Sequence, residues 1–212
     1  MERGGELESA FRFFRRWLRD PRGIAAPAPS GRELAARMVA AIGREARAVV
    51  ELGGGTGVMT RALLERGIPS ERLLVLELDA ALQSQLARRF PDVEVVRANA
   101  VDLVEVVRAS RGLEIGVVDA VLSSLGFLTT PRGDQRRVLE AAFEVLQPAG
   151  RYVQFTYAPR CPVPLELRTE LDLRARRYGW SLRNLPPAFV YVLNRRGGRK
   201  PGGRQPGASP RP

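Results

Sequence analysis

Glu51-Leu52-Gly53-Gly54-Gly55-Thr56-Gly57 closes a short apolar run and opens a helical pattern. Glycines at 53, 55 and 57 allow positive φ and let a ligand lie against bare backbone. Such a loop delivers its ligand to a helix N-terminus at the carboxyl edge of a parallel sheet. The spacing is G-x-G-x-G. It differs from the G-x-G-x-x-G of dinucleotide folds, and it lacks the Lys a phosphate-binding P-loop carries after its last glycine. A second apolar run ends about 20 residues on in an acid, Glu77, where a carboxylate can accept both hydroxyls of a ribose. Polar Asn99 follows a third run.

Outward from the loop, the chain reads as repeated β-α units. Short, nearly continuous apolar runs at 48–53, 73–78, 93–98, 117–124 and 150–157 predict parallel strands covered on both faces. Amphipathic segments at 56–66, 80–90, 101–108 and 132–146 predict the helices between them. The alternation is that of a doubly wound α/β sheet. A further helix is expected over about 164–178. Strands at 180–185 and 188–195, separated by Pro186 and Pro187, then predict an antiparallel hairpin on the sheet edge. Residues 1–31 form an amphipathic helix and a Pro/Gly/Ala linker from 21 to 31. Residues 32–195 form the catalytic-type domain. Residues 196–212 are Gly/Pro-rich and basic without an acid, which predicts a disordered tail.

Counting excludes whole classes of chemistry. The 212 residues are 44% apolar, enough for one core. There is no histidine, so Ser-His-Asp and Cys-His triads are ruled out. Cys161 is the one cysteine, so no intrachain disulfide or cysteine-built zinc site is expected, and no metal is assigned. The net charge is +11, from 34 Lys+Arg against 23 Asp+Glu, and Lys200 is the only lysine. That field favours anionic partners, a nucleic acid or an acidic membrane face. No apolar run approaches the ~18–20 residues that span a bilayer, and arginines interrupt the N-terminal apolar stretch, unlike a secretory signal.

The glycine loop, the acid-ended second strand and Asn99 together resemble the class I S-adenosylmethionine-dependent methyltransferases over residues 32–195. The resemblance implies a Rossmann-like seven-stranded sheet ending in an antiparallel hairpin. It implies S-adenosyl-L-methionine as cofactor and S-adenosyl-L-homocysteine as product. Gly53, Gly55 and Gly57 would pass under the methionine and ribose, with Glu51, Thr56 and Ser123 counted in the same site. Glu77 would hold the ribose hydroxyls and Leu78 would pack on adenine. Asn99, often Asp in the family, would read the adenine edge with the Ala100 amide.

The fourth run ends Ser123-Ser124-Leu125-Gly126, without the Asn/Asp-Pro-Pro-Tyr/Phe tetrapeptide of enzymes that methylate base amines. That argues against an rRNA or DNA methyltransferase, and no nucleic-acid partner is expected. The run Q-F-T-Y (154–157), then P-V-P (162–164), then W-x-x-R-N-L-P-P-A (180–188) resembles bacterial phosphatidylethanolamine N-methyltransferases. These methylate phosphatidylethanolamine and its mono- and dimethyl forms toward phosphatidylcholine. The resemblance departs at Leu125-Gly126-Phe127-Leu128, where relatives often carry Leu-Pro, so head-group preference rests on this loop.

The N-terminus points the same way on its own residues. At 100° per residue, Leu7, Ala10, Phe11, Phe13, Phe14, Trp17 and Leu18 cover one side of a helix, and Arg12, Arg15, Arg16 and Arg19 the other. Aromatics opposite arginines describe a helix lying in the head-group plane. Each buried aromatic could contribute ~1.5–3 kcal/mol, and each arginine at an anionic leaflet ~1 kcal/mol. Packing on the protein's own core is the competing reading, but it does not need four arginines in two turns. Phe11, Phe14, Trp17, Leu18 and the four arginines are therefore assigned to an anionic phospholipid surface, and the protein to the cytoplasm, peripheral on the inner face of the cell membrane. The alternatives are a protein that mainly binds and bends membranes, with weak catalysis, and a methyltransferase of rRNA or another nucleic acid, favoured only by charge. No obligate protein partner is inferred.

Methyl transfer needs a neutral nitrogen, while an alkylammonium has a pKa near ~10.4. Without histidine, the proton acceptor falls to Tyr, Asp, Glu or water. Tyr157, ending the fifth strand, is the catalytic candidate, as proton relay or as a cation-π partner. Ser124, Tyr178 and Arg183 are the substrate-binding candidates, with Arg183 suited to a lipid phosphate. Residues 132–137 (R-G-D-Q-R-R) read as a solvated helix start and receive no function.

Overall fold

The computed structural model describes residues 29–181 and 187–198. Seven strands form one sheet: β1 Val49–Leu52, β2 Leu73–Glu77, β3 Glu94–Arg97, β4 Val118–Ser123, β5 Leu146–Thr156, β6 Leu173–Ser181 and β7 Ala188–Arg195. Their order is β3-β2-β1-β4-β5-β7-β6. The first five are parallel, and β7 runs antiparallel between β5 and β6. Among the described residues six α-helices flank the sheet: α1 Pro29–Ala41, α2 Val58–Glu65, α3 Ala80–Arg89, α4 Leu103–Ala109, α5 Arg132–Val145 and α6 Leu165–Glu170.

The continuous apolar runs follow from burial on two faces. Val50, Leu52, Leu74 and Leu76 point into one core with Leu103, Val107, Leu139 and Tyr152. Val49, Leu73 and Val75, their neighbours in sequence, point into the other with Met38, Leu63 and Leu86. Side chains alternate across a strand, so a strand sandwiched between helices is apolar at nearly every position, with Glu51 in β1 and Gln154 in β5 as buried polar exceptions.

Two segments differ from expectation. The helix expected over 164–178 stops at Glu170, and 173–181 is the edge strand β6. Asp172 takes a left-handed φ of 52° and breaks the helix. Beyond it, pairing with β7 from Leu173↔Arg195 to Ser181↔Ala188 overrides the helix-forming Leu and Arg content. The first hairpin arm is thus 173–181 rather than 180–185, and 182–186 lie outside the described residues. The second arm is 188–195, as expected. In addition α1 begins at Pro29, within the stretch read as linker.

α1 lies over β5, β7 and β6. It leads directly into β1, and the Arg151 guanidinium donates to the Ala41 carbonyl at its end (3.2 Å). α1 therefore ends at the amino edge of the sheet. Its start, about 20 Å away along the helix, faces the carboxyl edge.

Candidate functional site

The glycine loop takes its shape from backbone constraints. Gly53, Gly55 and Gly57 have φ of 79°, 53° and 79°, values L side chains rarely adopt. The Gly53 amide donates to the Leu76 carbonyl (2.8 Å) and ties the loop to β2. A Cβ on Gly57 would lie 2.6 Å from Phe90, and one on Gly54 2.5 Å from Val75. Those two glycines answer to packing on α3 and β2. A Cβ on Gly53 would meet the Leu125 side chain at 3.4 Å, an ordinary contact.

Glu77 joins the loop to the second crossover. One carboxylate oxygen accepts the Gly55 amide (2.8 Å) and the other the Asp79 amide (2.9 Å). Asp79 in turn caps α3, accepting from the Ala81 and Leu82 amides. Asn99 caps the following 3-10 turn through its side-chain carbonyl, which accepts from the Val101 amide (3.3 Å).

These groups surround a cavity of about 820 Å³ at the carboxyl edge. It brings together Gly53, Gly55, Glu77, Leu78, Asn99, Ala100 and Ser124 of the expected residues. Leu78 is 61% exposed, an apolar platform beside Asn99. Glu51, Thr56, Gly57 and Ser123 lie outside its lining. Thr56 offers its carbonyl to Arg89 (2.8 Å). Ser123 is fully buried and accepts the Leu125 amide (3.3 Å).

Glu51 sits beneath the loop, fully buried. One oxygen accepts the Thr60 hydroxyl (2.7 Å) and the other has no partner. Burial pushes its carboxyl up to about 8, with neighbouring Glu77 adding to the rise and Thr60 opposing it. An orphaned buried carboxylate oxygen fits a cationic ligand group.

Tyr157 lines a small apolar pocket with Leu125, Phe127, Leu128 and Phe155. Its ring meets Phe155 edge-on at 5.7 Å. Ser124, Leu125 and Gly126 belong to both lining sets, so this pocket adjoins the large cavity. Tyr178 lines neither. Its hydroxyl donates to the Ala40 carbonyl on α1 (3.2 Å). Arg183 and the N-terminal residues Phe11, Arg12, Phe14, Arg15, Arg16, Trp17, Leu18 and Arg19 lie outside the described residues.

The sequence reading missed Thr130, Asp134 and Arg137, which line the cavity where α5 begins. Asp134 and Arg137 are paired with each other one turn apart. The available signal was position, because a helix that follows the fourth strand must start at the carboxyl edge. Composition concealed it, since R-G-D-Q-R-R reads as any solvated helix start.

Residues 49–150 match the family described as methyltransferase domain. An ornithine lipid N-methyltransferase from Singulisphaera acidiphila is 32% identical over 189 residues, 87% of this chain and 95% of that protein. The chain belongs to the class I S-adenosylmethionine-dependent methyltransferases. This methyltransferase shares its fold with a TehB-like enzyme from Corynebacterium glutamicum (TM-score 0.60, 16% identity, 89% of this chain and 99% of that one). It also shares it with Streptomyces venezuelae DesVI (TM-score 0.57, 13% identity, 91% and 98%).

The cofactor of this methyltransferase is S-adenosylmethionine, with S-adenosylhomocysteine as product. When bound, it supplies an electrophilic methyl on a sulfonium. The residues present fit it. Gly53 and Gly55 leave bare backbone at the cavity wall. Glu77 has a carboxylate for a ribose, Leu78 an apolar face for a purine, and Glu51 an oxygen without a partner beneath the loop.

Proposed function

We propose that this methyltransferase methylates the amine nitrogen of phosphatidylethanolamine, and of its mono- and dimethyl forms, toward phosphatidylcholine. In this reading it works as a peripheral enzyme on the inner face of the cell membrane. The observation that carries a lipid amine is the relative matched over 95% of its length, whose name gives a lipid amine as acceptor. The apolar pocket against Ser124–Gly126 supports it, because an amphipathic head group needs a polar cavity with an apolar neighbour. Among the described residues no helix is long and apolar enough to cross a membrane.

Tyr157 holds the acceptor end of the site. The ammonium nitrogen loses a proton, which the Tyr157 hydroxyl relays to water, and the neutral nitrogen gains the methyl as the C–S bond breaks and S-adenosylhomocysteine leaves, while the Tyr157 ring faces the methylated ammonium. The reading of phosphatidylethanolamine rests on the 154–188 resemblance. Ornithine lipid is the second reading, favoured by the relative's own substrate. Both present a primary amine on a lipid held at a bilayer.

The test is incubation with methyl-labelled S-adenosylmethionine and liposomes holding phosphatidylethanolamine or ornithine lipid, followed by lipid separation. Label in phosphatidylcholine and its precursors supports the first reading. Label only in the ornithine lipid moves the assignment to the second. Label in RNA from a parallel tube and in neither lipid would remove both.

A further inference from the structure

The edge that carries the cavity mouth also carries large apolar side chains facing solvent. β6 runs parallel to β5, so its last residues reach this edge beside Thr156. Trp180, next to last in β6, is 47% exposed. Leu78 follows β2 and Leu128 follows β4, and both are exposed. Five strand spacings separate β2 from β6 in the sheet order, a width of about 24 Å. Leu78 lines the cavity and Leu128 the apolar pocket, and Trp180 stands outside both as the far end of the row.

The charge on β6 is of one sign. Arg174, Arg176 and Arg177 are exposed, and the strand holds no carboxylate. The Arg177 guanidinium lies over the Trp180 ring, 5.8 Å from its centre. α1 begins toward this same edge.

We propose that this edge, with Trp180 and Arg177 as its outer anchor, seats the protein body on an anionic phospholipid surface, in addition to any contact made by residues 7–19. The inference rests on the reading that the acceptor is a membrane lipid. Tryptophan prefers the head-group zone of a bilayer. A neighbouring arginine adds attraction to anionic lipid. A row of exposed apolar residues around a site mouth marks a docking surface. A second copy of this chain is the poorer occupant, because an edge strand with three arginines repels its own like. Seating the edge flat brings the cavity mouth to the head groups, so the acceptor reaches the site without leaving the leaflet.

The chain has two tryptophans, Trp17 and Trp180, so full-length Trp17→Phe leaves Trp180 as the only indole. Its emission is expected to shift blue on phosphatidylglycerol-containing vesicles, and brominated acyl chains should quench it. Unchanged emission while the protein sediments with those vesicles overturns the proposal, as does a failure to sediment at all. A blue shift on concentrating the protein without lipid assigns the surface to a second copy and also overturns it. Trp180→Ala should weaken vesicle binding about tenfold or more, and Arg177→Gln about fivefold. S-adenosylhomocysteine affinity should hold in both. Vesicle affinity equal to wild type in Trp180→Ala would sink the idea. Insertion of Trp180 with no label transferred to any lipid would leave the surface standing and remove the substrate reading instead.

Discussion

Glu51 is a carboxyl whose ionisation the fold opposes. Its pKa rises from 4.5 to about 8 by burial. The proton is therefore bound more tightly in the folded state than in the unfolded one. Stability from this group is fully present below pH 4.5 and is lost as pH rises through about 8. The melting temperature of the cofactor-free chain should fall across that window, and Glu51→Gln should flatten the fall in a calorimetric pH series. A cofactor ammonium beside the unpartnered oxygen favours the ionised form. Binding near pH 7 should then release a proton in wild type and none in Glu51→Gln, read from titrations in buffers of different ionisation heat. Glu77→Ala should weaken S-adenosylmethionine binding about a hundredfold or more, because two charge-assisted hydrogen bonds of ~1.5–3 kcal/mol each are lost. It also strips the Gly55 and Asp79 amides of their acceptor. An unchanged dissociation constant on titration would remove Glu77 from the site. Tyr157→Phe should lower turnover while cofactor affinity holds. Wild-type turnover in that variant would leave the residue only its ring contacts.

The loop from β4 to α5 is clamped by two buried glutamines. Gln154, fully buried on β5, donates to the Leu125 carbonyl (2.9 Å) and accepts the Tyr152 hydroxyl (3.2 Å). Gln135 on α5 donates to the Phe127 carbonyl (2.7 Å) and the Thr130 carbonyl (3.0 Å). The loop borders both cavities, so its position sets the acceptor space. Gln154→Leu removes two hydrogen bonds, one to the Leu125 carbonyl, which keeps the Phe127 amide, and one from the Tyr152 hydroxyl, at a net cost of about 0.5–1.5 kcal/mol each. Chemical denaturation should show that loss. Acceptor KM should rise while S-adenosylhomocysteine affinity stays. Gln154 entered the sequence reading only as part of Q-F-T-Y and Gln135 only within R-G-D-Q-R-R, because a polar residue shows no partner until the loop it holds is folded against it. The same limit hid β6. Its Leu and Arg residues favour a helix locally, and only pairing with β7, itself between β5 and β6, makes 173–181 extended.

At the scale of the whole chain, a charge of +11 meets a site edge lined with exposed apolar residues. Replacing Phe11, Phe14 and Leu18 with Ser should remove most apolar insertion of the N-terminal segment. Replacing Arg12, Arg15, Arg16 and Arg19 with Gln should instead remove the dependence on anionic lipid and on salt, since screening acts on exposed charges. Liposome sedimentation separates the two, and S-adenosylhomocysteine should bind both variants. If a chain lacking residues 1–20 sediments with anionic liposomes as well as the full chain does, the N-terminal segment is not the anchor, and the attachment rests on the β6 edge or on the basic residues 196–212.

The first five strands, the helices between them and the glycine loop were legible in sequence because each rests on local physics. Strands buried on both faces are apolar nearly throughout, helices show one apolar side, and a backbone that bends through positive φ needs glycine. The end of β2 in Glu77 belongs to the same class, an acid one turn of logic away from its glycine loop. Tertiary structure alone decided which side chains share a wall. It carried Asp134 and Arg137 to the cavity, sent the Tyr178 hydroxyl to α1, and left a Glu51 oxygen without a partner. Those outcomes depend on contacts between residues 9 to 138 positions apart, and no local pattern encodes a separation of that length.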